Sequence, residues 1–394
     1  MGGETTGVSY HGDEHETEST SNLVPPHRGE TNDIVLAQAP PPKGKYADVS
    51  FLINIRVLWF ALKSLVLHPK SMKRHTTITF IRWITGTCNY KEIQFLMPPS
   101  VDAYLQWTKR QKPRMEPFIE PLIDDAMVMW VGKKRTDRVV LYMPGGAYFF
   151  PLSGNAISFW RYVQLELESQ GIDVGLAILA YSLIPEAGFP TQLRQAQVAL
   201  EHILASGVHP SNLHLPKPAS KPSLPEPASK QGAPPTCPHT FMPIRGVYLM
   251  SPWVCMESTT ASSRANFAYD IIVPSPSGSD APTDSGSGLG SGSAWFAGLD
   301  GIVDRLLMTA GGKEVLRDDI IAFSQTMGKV KRREFGFVVQ EGGVHVDPLL
   351  EFMFMDGKEG KSKGKGKDNA KGEGEVRSLT PMIVSWLAAG YRSS

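Results

Sequence analysis

The chain has 394 residues, of which 41% are apolar and 20% charged, enough to bury the core of one large α/β domain with additions or of two domains. Its formal net charge of +1 gives no sign of a nucleic-acid partner. The three cysteines, Cys88, Cys237 and Cys255, have neither metal-site spacing nor the pattern of a disulfide framework. We therefore expect no metal centre and a reducing, intracellular location.

The N-terminal part differs in composition from the rest of the chain. Residues 1–45 are rich in Gly, Glu, Thr, Ser and Pro, which predicts a disordered tail without a secretory signal. Apolar residues in 49–67 recur at helical spacing, which indicates a helix that packs on the domain or lies in a membrane interface. A transmembrane span is the alternative, because the run barely reaches spanning length. We expect 46–125, with helical patterns at Ile93–Leu96 and Val101–Arg110, to form a helical cap or membrane-interface anchor. The location within the cell stays open between the cytoplasm and the endoplasmic-reticulum membrane.

After residue 126, apolar runs typical of buried strands alternate with amphipathic helical patterns. The predicted strands are Ala126–Val131, Val139–Met143, Val174–Tyr181, Gly246–Val254, Arg305–Ala310 and Phe335–Gln340, the first two as neighbours. The predicted helices are Asn155–Gln170, Thr191–Ser206, Val315–Met327 and a last one with Thr380 as its N-cap. This alternation predicts an α/β domain over 126–394 with a mostly parallel, doubly wound sheet flanked by helices.

Three low-complexity insertions interrupt this domain, at 216–243, 274–293 and 357–376. The first repeats Pro-Ala-Ser-Lys, and its proline density argues against both a helix and a central strand. The second is rich in Ser, Gly, Asp and Pro, and the third in Lys, Gly and Glu. We expect all three to be mobile linkers or surface loops.

The first candidate site is the glycine turn that follows the strand Val139–Met143. At Pro144-Gly145-Gly146 the backbone can turn sharply and leave amide groups unpaired before the next helix begins. Strand, glycine turn and helix together can present backbone N–H groups to a developing negative charge. A tight turn without chemistry is the alternative.

Polar side chains follow two later strands. Glu314, Asp318 and Asp319 come after Arg305–Ala310, and His345 lies in the loop after Phe335–Gln340. Acids near a helix start are also favoured by the helix dipole alone, and a lone loop histidine is usually a solvated surface residue. The order of glycine turn, acid and histidine matches the order in which α/β-hydrolases carry these groups.

Four segments carry a resemblance to a known family: Met143–Tyr148, Tyr181–Gln195, Gly312–Asp318 and Gly343–His345. Together they resemble the hormone-sensitive-lipase-like branch of the α/β-hydrolase superfamily, close to fungal steryl-acetyl-hydrolase and arylacetamide-deacetylase-type esterases. The resemblance implies the α/β-hydrolase fold, no cofactor, and hydrolysis of small lipophilic or acetylated esters.

The resemblance also implies roles for individual residues. His345 would be the general base and Glu314 its orienting acid, although the family more often has Asp there, and Asp318 is the runner-up acid. We expect His345 and Glu314 to lie within hydrogen-bonding reach of each other and to face the glycine turn.

The oxyanion hole would come from the same turn. Backbone N–H groups of Gly146 and Ala147 would donate to the oxyanion, and Gly145 would shape the turn. Pro144 replaces the family's histidine and Ala147 its last glycine, so the detailed geometry differs from the family pattern.

The family's nucleophile is missing from its expected place. It lies in Gly-x-Ser-x-Gly, on a sharp turn after a central strand, which here would fall between His209–Leu215 and Gly246–Val254. That interval holds the Pro-Ala-Ser-Lys repeat instead, and Ser211 and Ser220 lack flanking glycines. We therefore expect a chain that has no Gly-x-Ser-x-Gly pentapeptide anywhere and lacks both the nucleophile elbow and its following helix.

Three interpretations remain open. The first is a serine-type ester hydrolase, which as written would be close to inactive. The second is a non-catalytic hydrolase-fold protein that binds a ligand or partner. The third is a mispredicted exon boundary that replaced the elbow with translated intron, which the transcript sequence across 205–250 would reveal.

Overall fold

The structure is a computed structural model that describes residues 72–218, 242–254, 260–267, 269–271, 296, 298–331, 333–354 and 376–393. The predicted tail, the apolar stretch 49–67 and most of the three low-complexity insertions lie outside these residues. Among the described helices, none is long and apolar enough to cross a membrane.

Among the described residues, eight strands form one sheet. The strands are β1 Phe118–Pro121, β2 Met127–Val131, β3 Val139–Tyr142, β4 Gly175–Ala180, β5 Leu213–Pro218, β6 Ile244–Met250, β7 Val303–Gly311 and β8 Phe335–Gln340. Their order across the sheet is β1-β2-β4-β3-β5-β6-β7-β8. β3 to β8 run parallel, whereas β2 pairs antiparallel with β1 and β4. The predicted mostly parallel sheet is confirmed.

Helices cover both faces of the sheet. They are α1 Met72–Thr87, α2 Tyr90–Leu96, α3 Ser100–Arg110, α4 Gly154–Ser169, α5 Thr191–Ala205, α6 Ala261–Asn266, α7 Leu299–Ile302, α8 Arg317–Val330, α9 Asp347–Phe354 and α10 Thr380–Arg392. Val140 and Tyr142 belong to the cluster formed with α3, α4 and α10, whereas Leu141 faces α5 and Met308 faces α8. Alternate strand residues thus divide the core into two layers, as expected for strands buried on both faces.

One predicted strand pairing is wrong. β2 and β3 are not neighbours, because β4 lies between them and pairs with both. The connection between β2 and β3 passes over the start of β4, where Gly175 donates its N–H to the carbonyl of Arg138 at 2.8 Å. A Cβ at Gly175 would lie 2.2 Å from the carbonyl oxygen of Arg135, so only glycine fits under the crossing. Two apolar runs separated by a charged turn are typical of a hairpin, which is why the sequence predicted that these strands pair. The close approach of Gly175 to the β2–β3 connection leaves no signal in the apolar pattern.

The expectation that prolines exclude a central strand is wrong for 216–218. β5 includes Pro216 and Pro218 and pairs with β6 over five residues, but with β3 over only two. Pro216 turns its carbonyl towards β3, where it accepts from Met143 N–H at 3.0 Å. Its missing donor therefore faces β3, which explains why that ladder is short while the β6 ladder continues.

The sheet begins before residue 126, the boundary that the sequence suggested for the α/β domain. Tyr104 of α3 donates its hydroxyl to the Trp130 carbonyl at 2.6 Å and accepts the N–H of Phe118 at 2.9 Å. This buried phenol joins α3, β1 and β2, so these segments belong to the same folded unit. α2 and α3 lie where helices were predicted, whereas α1, α6, α7 and α9 were not predicted.

Two helices differ in detail from their patterns. In α5 the apolar side chain of Leu193 is 55% exposed, whereas the polar side chains of Gln192 and Gln195 are buried. Gln195 accepts the N–H of Ser182 at 2.8 Å, so polar side chains fix the segment that leads into this helix. In α10 the N-cap is Leu379, one residue before the predicted Thr380.

Candidate active site

The candidate residues gather at one edge of the sheet because they follow the carboxyl ends of parallel strands. The glycine turn follows β3, Ser251 follows β6, Glu314 follows β7 and His345 follows β8. In open α/β sheets this edge is where ligands bind.

The predicted contact between His345 and Glu314 is present. His345 Nδ1 lies 2.6 Å from Glu314 Oε1, and the carboxylate is completely buried. We assign the proton to Nδ1 because its neighbour is a carboxylate acceptor. Glu314 Oε2 accepts two further hydrogen bonds, from Gly311 N–H at 2.8 Å and from the Ser251 hydroxyl at 2.9 Å. Three donors thus hold the Glu314 carboxylate in the position in which it orients the imidazole.

Two opposing effects set the basicity of His345. Burial by itself lowers the pKa of the imidazole, but the charge and hydrogen bond of Glu314 and the charge of Asp270 outweigh it and raise the pKa above its ordinary value. Its Nε2 makes no hydrogen bond to any residue that the structure describes. This arrangement leaves one ring nitrogen of a strengthened base free to take a proton.

The acid and histidine loops are joined directly. Gly312 donates its N–H to the Gln340 carbonyl and Lys313 donates to the Gly343 carbonyl, both at 2.7 Å. Because β7 and β8 are neighbours, the loops that follow them run side by side and hold the pair together.

Asp318, the runner-up acid, serves a different part of the structure. It accepts the N–H of Ser262 at 2.7 Å and the Nε–H of Arg317 at 3.0 Å, and it is not hydrogen-bonded to His345. These contacts support Glu314 as the acid partner.

The sequence analysis missed two residues of this site. The Ser251 hydroxyl, besides donating to Glu314, accepts the N–H of Val346 at 3.1 Å and so links the end of β6 to the histidine loop. Asp270 is completely buried and accepts the N–H groups of Val315 and His345. Neither belongs to a motif that we recognised, and only the Ser-Pro step after an apolar strand could have marked Ser251.

The glycine turn has the geometry of a donor site. Gly146 has φ +115° and Ala147 has φ +52°, and a Cβ at Gly146 would lie 2.6 Å from the Cβ of Phe150. The Gly146 carbonyl accepts the N–H groups of Phe149 and Phe150 at 3.1 and 3.0 Å. Within the described part of the chain, the amides of Gly145, Gly146 and Ala147 donate to no protein acceptor. No described acceptor therefore competes with a ligand for these donors.

Side chains from two other segments hold this turn. Tyr181 donates its hydroxyl to the Pro144 carbonyl at 3.0 Å, and burial raises the pKa of this phenol, which keeps it protonated as a donor. Gln94 of α2 donates to the carbonyls of Phe149 and Ile184 at 3.0 and 2.7 Å. The turn is thus fixed by the Tyr181–Gln195 segment and by the N-terminal helices.

The histidine loop and the glycine turn are connected through helices. α9, which begins two residues after His345, packs on α4, where the rings of Phe352 and Phe159 meet edge to face at 5.5 Å. The Val346–Ser251 bond also brings the histidine loop back across β7 towards the centre of the sheet. The described residues make no direct contact between His345 and the turn, so their facing each other stays a prediction.

The structure describes no serine at the nucleophile position. Ser211 precedes β5, at the opposite end of this parallel strand from the site, and its hydroxyl contacts the Nδ1 of His209 at 2.6 Å. The Ser251 hydroxyl is committed to Glu314 and Val346. Residues 219–241, which follow β5, and Ser220 with them, lie outside the described residues.

The expectation that the chain lacks any Gly-x-Ser-x-Gly pentapeptide needs one correction. The pattern occurs at Gly360–Gly364, as Gly-Lys-Ser-Lys-Gly. It follows β8 and His345 rather than β5, it lies in the Lys/Gly/Glu tract, and it falls outside the described residues. It does not occupy the position at which the family carries its elbow.

Comparisons with known proteins identify the fold. Neither a family profile nor a curated protein matches the sequence. Among solved structures, an esterase from the bacterial hormone-sensitive lipase family has 18% identity and a TM-score of 0.50, covering 82% of this chain and 99% of its own. A hormone-sensitive lipase from a metagenome library has 12% identity and a TM-score of 0.49, covering 80% of this chain and 98% of its own. At such identities the first likeness establishes the fold alone, and the chain has the α/β-hydrolase fold.

Proposed function

We propose that the protein is a carboxylic-ester hydrolase of the α/β-hydrolase fold, close to inactive as written because the nucleophile elbow is absent after β5. The observation that carries this proposal is the 2.6 Å contact between His345 Nδ1 and Glu314 Oε1, buried at the edge where the strands end. A buried acid–histidine pair after one strand and unpaired backbone amides after another strand of the same parallel sheet are the groups that acyl transfer uses.

The proposed chemistry follows from these groups when a serine is supplied. His345 Nε2 takes the serine proton as the oxygen attacks the ester carbonyl, and Glu314 stabilises the resulting imidazolium. The N–H groups of Gly146 and Ala147 stabilise the tetrahedral oxyanion. His345 then returns the proton to the departing alcohol, and water releases the acyl group by the same steps in reverse.

The substrate and membrane assignments rest on sequence and resemblance. We infer a small lipophilic or acetylated ester as the substrate class and a membrane-interface contact through 49–67. The alternative is that the protein is a non-catalytic member of the fold that binds a ligand or partner. A transcript that also lacks the elbow would favour this alternative.

Ester hydrolysis by the full chain tests this proposal. We expect turnover of a short-chain aryl ester to be lower by about 10⁴-fold or more than that of a chain in which the transcript across 205–250 encodes Gly-x-Ser-x-Gly. His345→Ala should abolish the activity of the elbow-containing chain. Rapid turnover by the chain as written would contradict the proposed inactivity, whereas a transcript without an elbow would favour the binding protein.

A further inference from the structure

A second buried carboxylate lies beside the acid–base pair. Asp270 is 0% exposed, and its Oδ1 accepts the N–H of His345 and that of Ile271, each at 2.8 Å. Its Oδ2 accepts the N–H of Val315 at 2.7 Å. One side chain therefore bonds the backbone of His345 and the backbone of the residue directly after Glu314.

The two loops that Asp270 joins follow different strands. Their relative position decides whether His345 Nδ1 and Glu314 Oε1 stay within hydrogen-bonding distance, and a displacement of about 1 Å is enough to impair such a pair. A buried, charge-assisted bridge between the two backbones restrains that displacement.

Asp270 is itself fixed from outside the site. Asn266 of α6 donates to the Glu314 carbonyl at 2.9 Å, which ties the same segment to the acid loop. From α1, Arg82 donates to the Asp270 carbonyl and Thr85 donates to the Ile271 carbonyl, the latter at 2.9 Å. The carboxylate thus rests on a segment held by two helices.

We propose that Asp270 is a positioning residue of the proposed ester-hydrolase site, which holds the acid loop and the histidine loop in register and adds a second negative charge near the imidazole. The proposal rests on the proposed function, because it treats His345 and Glu314 as part of an ester-hydrolase site. The hydrogen bonds from which it is argued do not depend on a nucleophile. Asp270 does not touch His345's reactive nitrogen, so its action passes through His345 and Glu314.

The charge of Asp270 gives this role a distinctive signature. It acts together with Glu314 to raise the pKa of His345 against the effect of burial. Burial raises the pKa of Asp270 to about 6, opposed by the His345 charge and by the N–H donors of Val315 and His345. Above that pH the carboxylate is ionised and supports the imidazolium.

The experiment is an NMR titration of His345 in the full-length protein, with Asp270→Asn compared to Thr85→Val. Asparagine has nearly the same shape as aspartate but no charge. It has one side-chain oxygen instead of two, so it cannot accept all three N–H groups. We expect Asp270→Asn to lower the pKa of His345 and to broaden or remove its Nδ1–H resonance. Thr85→Val removes one hydrogen bond of the same segment without removing a charge, so it should destabilise the protein while the pKa of His345 stays unchanged.

An unchanged His345 pKa and Nδ1–H resonance in Asp270→Asn would overturn the proposal, even if the variant were less stable. If that variant does not fold, amide exchange in the unmodified protein decides. The N–H groups of Val315 and His345 share one acceptor side chain, so both should exchange on the order of 100-fold more slowly than exposed loop amides and at matching opening rates. Rapid or unrelated exchange would contradict the bridge. Neither measurement needs an ester or a serine, so their failure is distinct from a failure of the proposed function.

Discussion

Several residues around the candidate site adopt backbone conformations that their side chains disfavour. Ala147, Ser251 and Val346 have φ of +52°, +46° and +48°, the left-handed region that is costly for residues other than glycine, and most of all for a β-branched one. Ser251 and Val346 are also hydrogen-bonded to each other. Strained conformations of this kind persist where the surroundings determine them and cluster at functional sites.

Two opposite substitutions test the glycine turn. Gly146→Ala should reduce the free energy of unfolding by about 1–3 kcal/mol, because the new Cβ would lie 2.6 Å from Phe150 Cβ at a φ of +115°. Ala147→Gly should leave stability within about 1 kcal/mol of the original, because relief of the left-handed strain offsets the added chain entropy. Chemical denaturation measures both, and equal losses in the two variants would contradict this geometry.

A buried histidine outside the site predicts a dependence of stability on pH. His214 of β5 is 0% exposed, and neither ring nitrogen has a hydrogen-bond partner in the described part of the chain. Burial, together with the charges of Arg305 and Arg245, holds the pKa of His214 well below its ordinary value. Below about pH 6.5 the imidazole of His214 is therefore protonated in the unfolded state but neutral in the folded state. The contribution of this group to the free energy of unfolding then falls by about 1.4 kcal/mol for each pH unit.

His214→Leu isolates this contribution. The variant should lose that part of the pH dependence between about pH 6.5 and 5 and gain about 1–2 kcal/mol at neutral pH, because it removes unsatisfied buried nitrogen atoms. Urea unfolding at several pH values measures it. Parallel curves for the two proteins would show that His214 is not buried as a neutral ring.

At the residue scale, the sequence predicted the contacts that depend on strand order. Glu314 and His345 follow neighbouring parallel strands, and the resemblance to the α/β-hydrolases identified them as the acid–base pair. Asp270 and Ser251 were missed because their partners are backbone or carboxylate groups 45 to 95 positions away. No local periodicity reports such contacts.

At the scale of elements, the last helix is part of the core. Tyr391 of α10 is buried and donates its hydroxyl to the Val139 carbonyl of β3 at 2.8 Å. Its ring and that of Trp386 enclose His214, at centroid distances of 4.4 and 5.3 Å. α10 therefore covers the central strands from one side.

Substitutions along α10 should separate these contributions. Tyr391→Phe removes only the hydroxyl and leaves a buried carbonyl without that donor, so we expect a loss of about 1–2 kcal/mol. Tyr391→Ala also leaves a cavity and should cost about 3–5 kcal/mol. Ser385→Ala, on the exposed side of the same helix, should change stability by less than about 0.5 kcal/mol. Similar effects of all three would contradict a core role for the helix.

Elements were predicted better than their pairings. Apolar runs and amphipathic patterns located most strands and helices, because burial on both faces or on one leaves a local signature. The place of β4 between β2 and β3, and the extension of β5 through Pro216, depend on long-range contacts that the patterns do not carry.

At the scale of the whole molecule, the two faces of the central strands are covered unequally. On β6, Tyr248 and Met250 are buried on the face of α10, whereas Val247 and Leu249 on the opposite face are only half-buried. α5 and α8 flank that face, and no described helix lies between β5 and β6 along the chain. A central parallel strand is normally covered on both sides. Among the described residues, this face of β6 is therefore less covered than the face of α10.

Contacts from many parts of the fold thus support the acid–base pair and the glycine turn. The sequence differs from the α/β-hydrolase pattern after β5, where that pattern has the nucleophile elbow. Labelling with a fluorophosphonate probe, which reacts only with an activated serine, tests this account most directly. The full chain is compared with a chain that carries a transcript-encoded elbow, and intact-protein mass spectrometry measures the labelling of each. We predict no labelling of the chain as written and stoichiometric labelling of the elbow-containing chain that His345→Ala abolishes. Stoichiometric, His345-dependent labelling of the chain as written would contradict the account, and Ser211 and Ser362 would be the first positions to map.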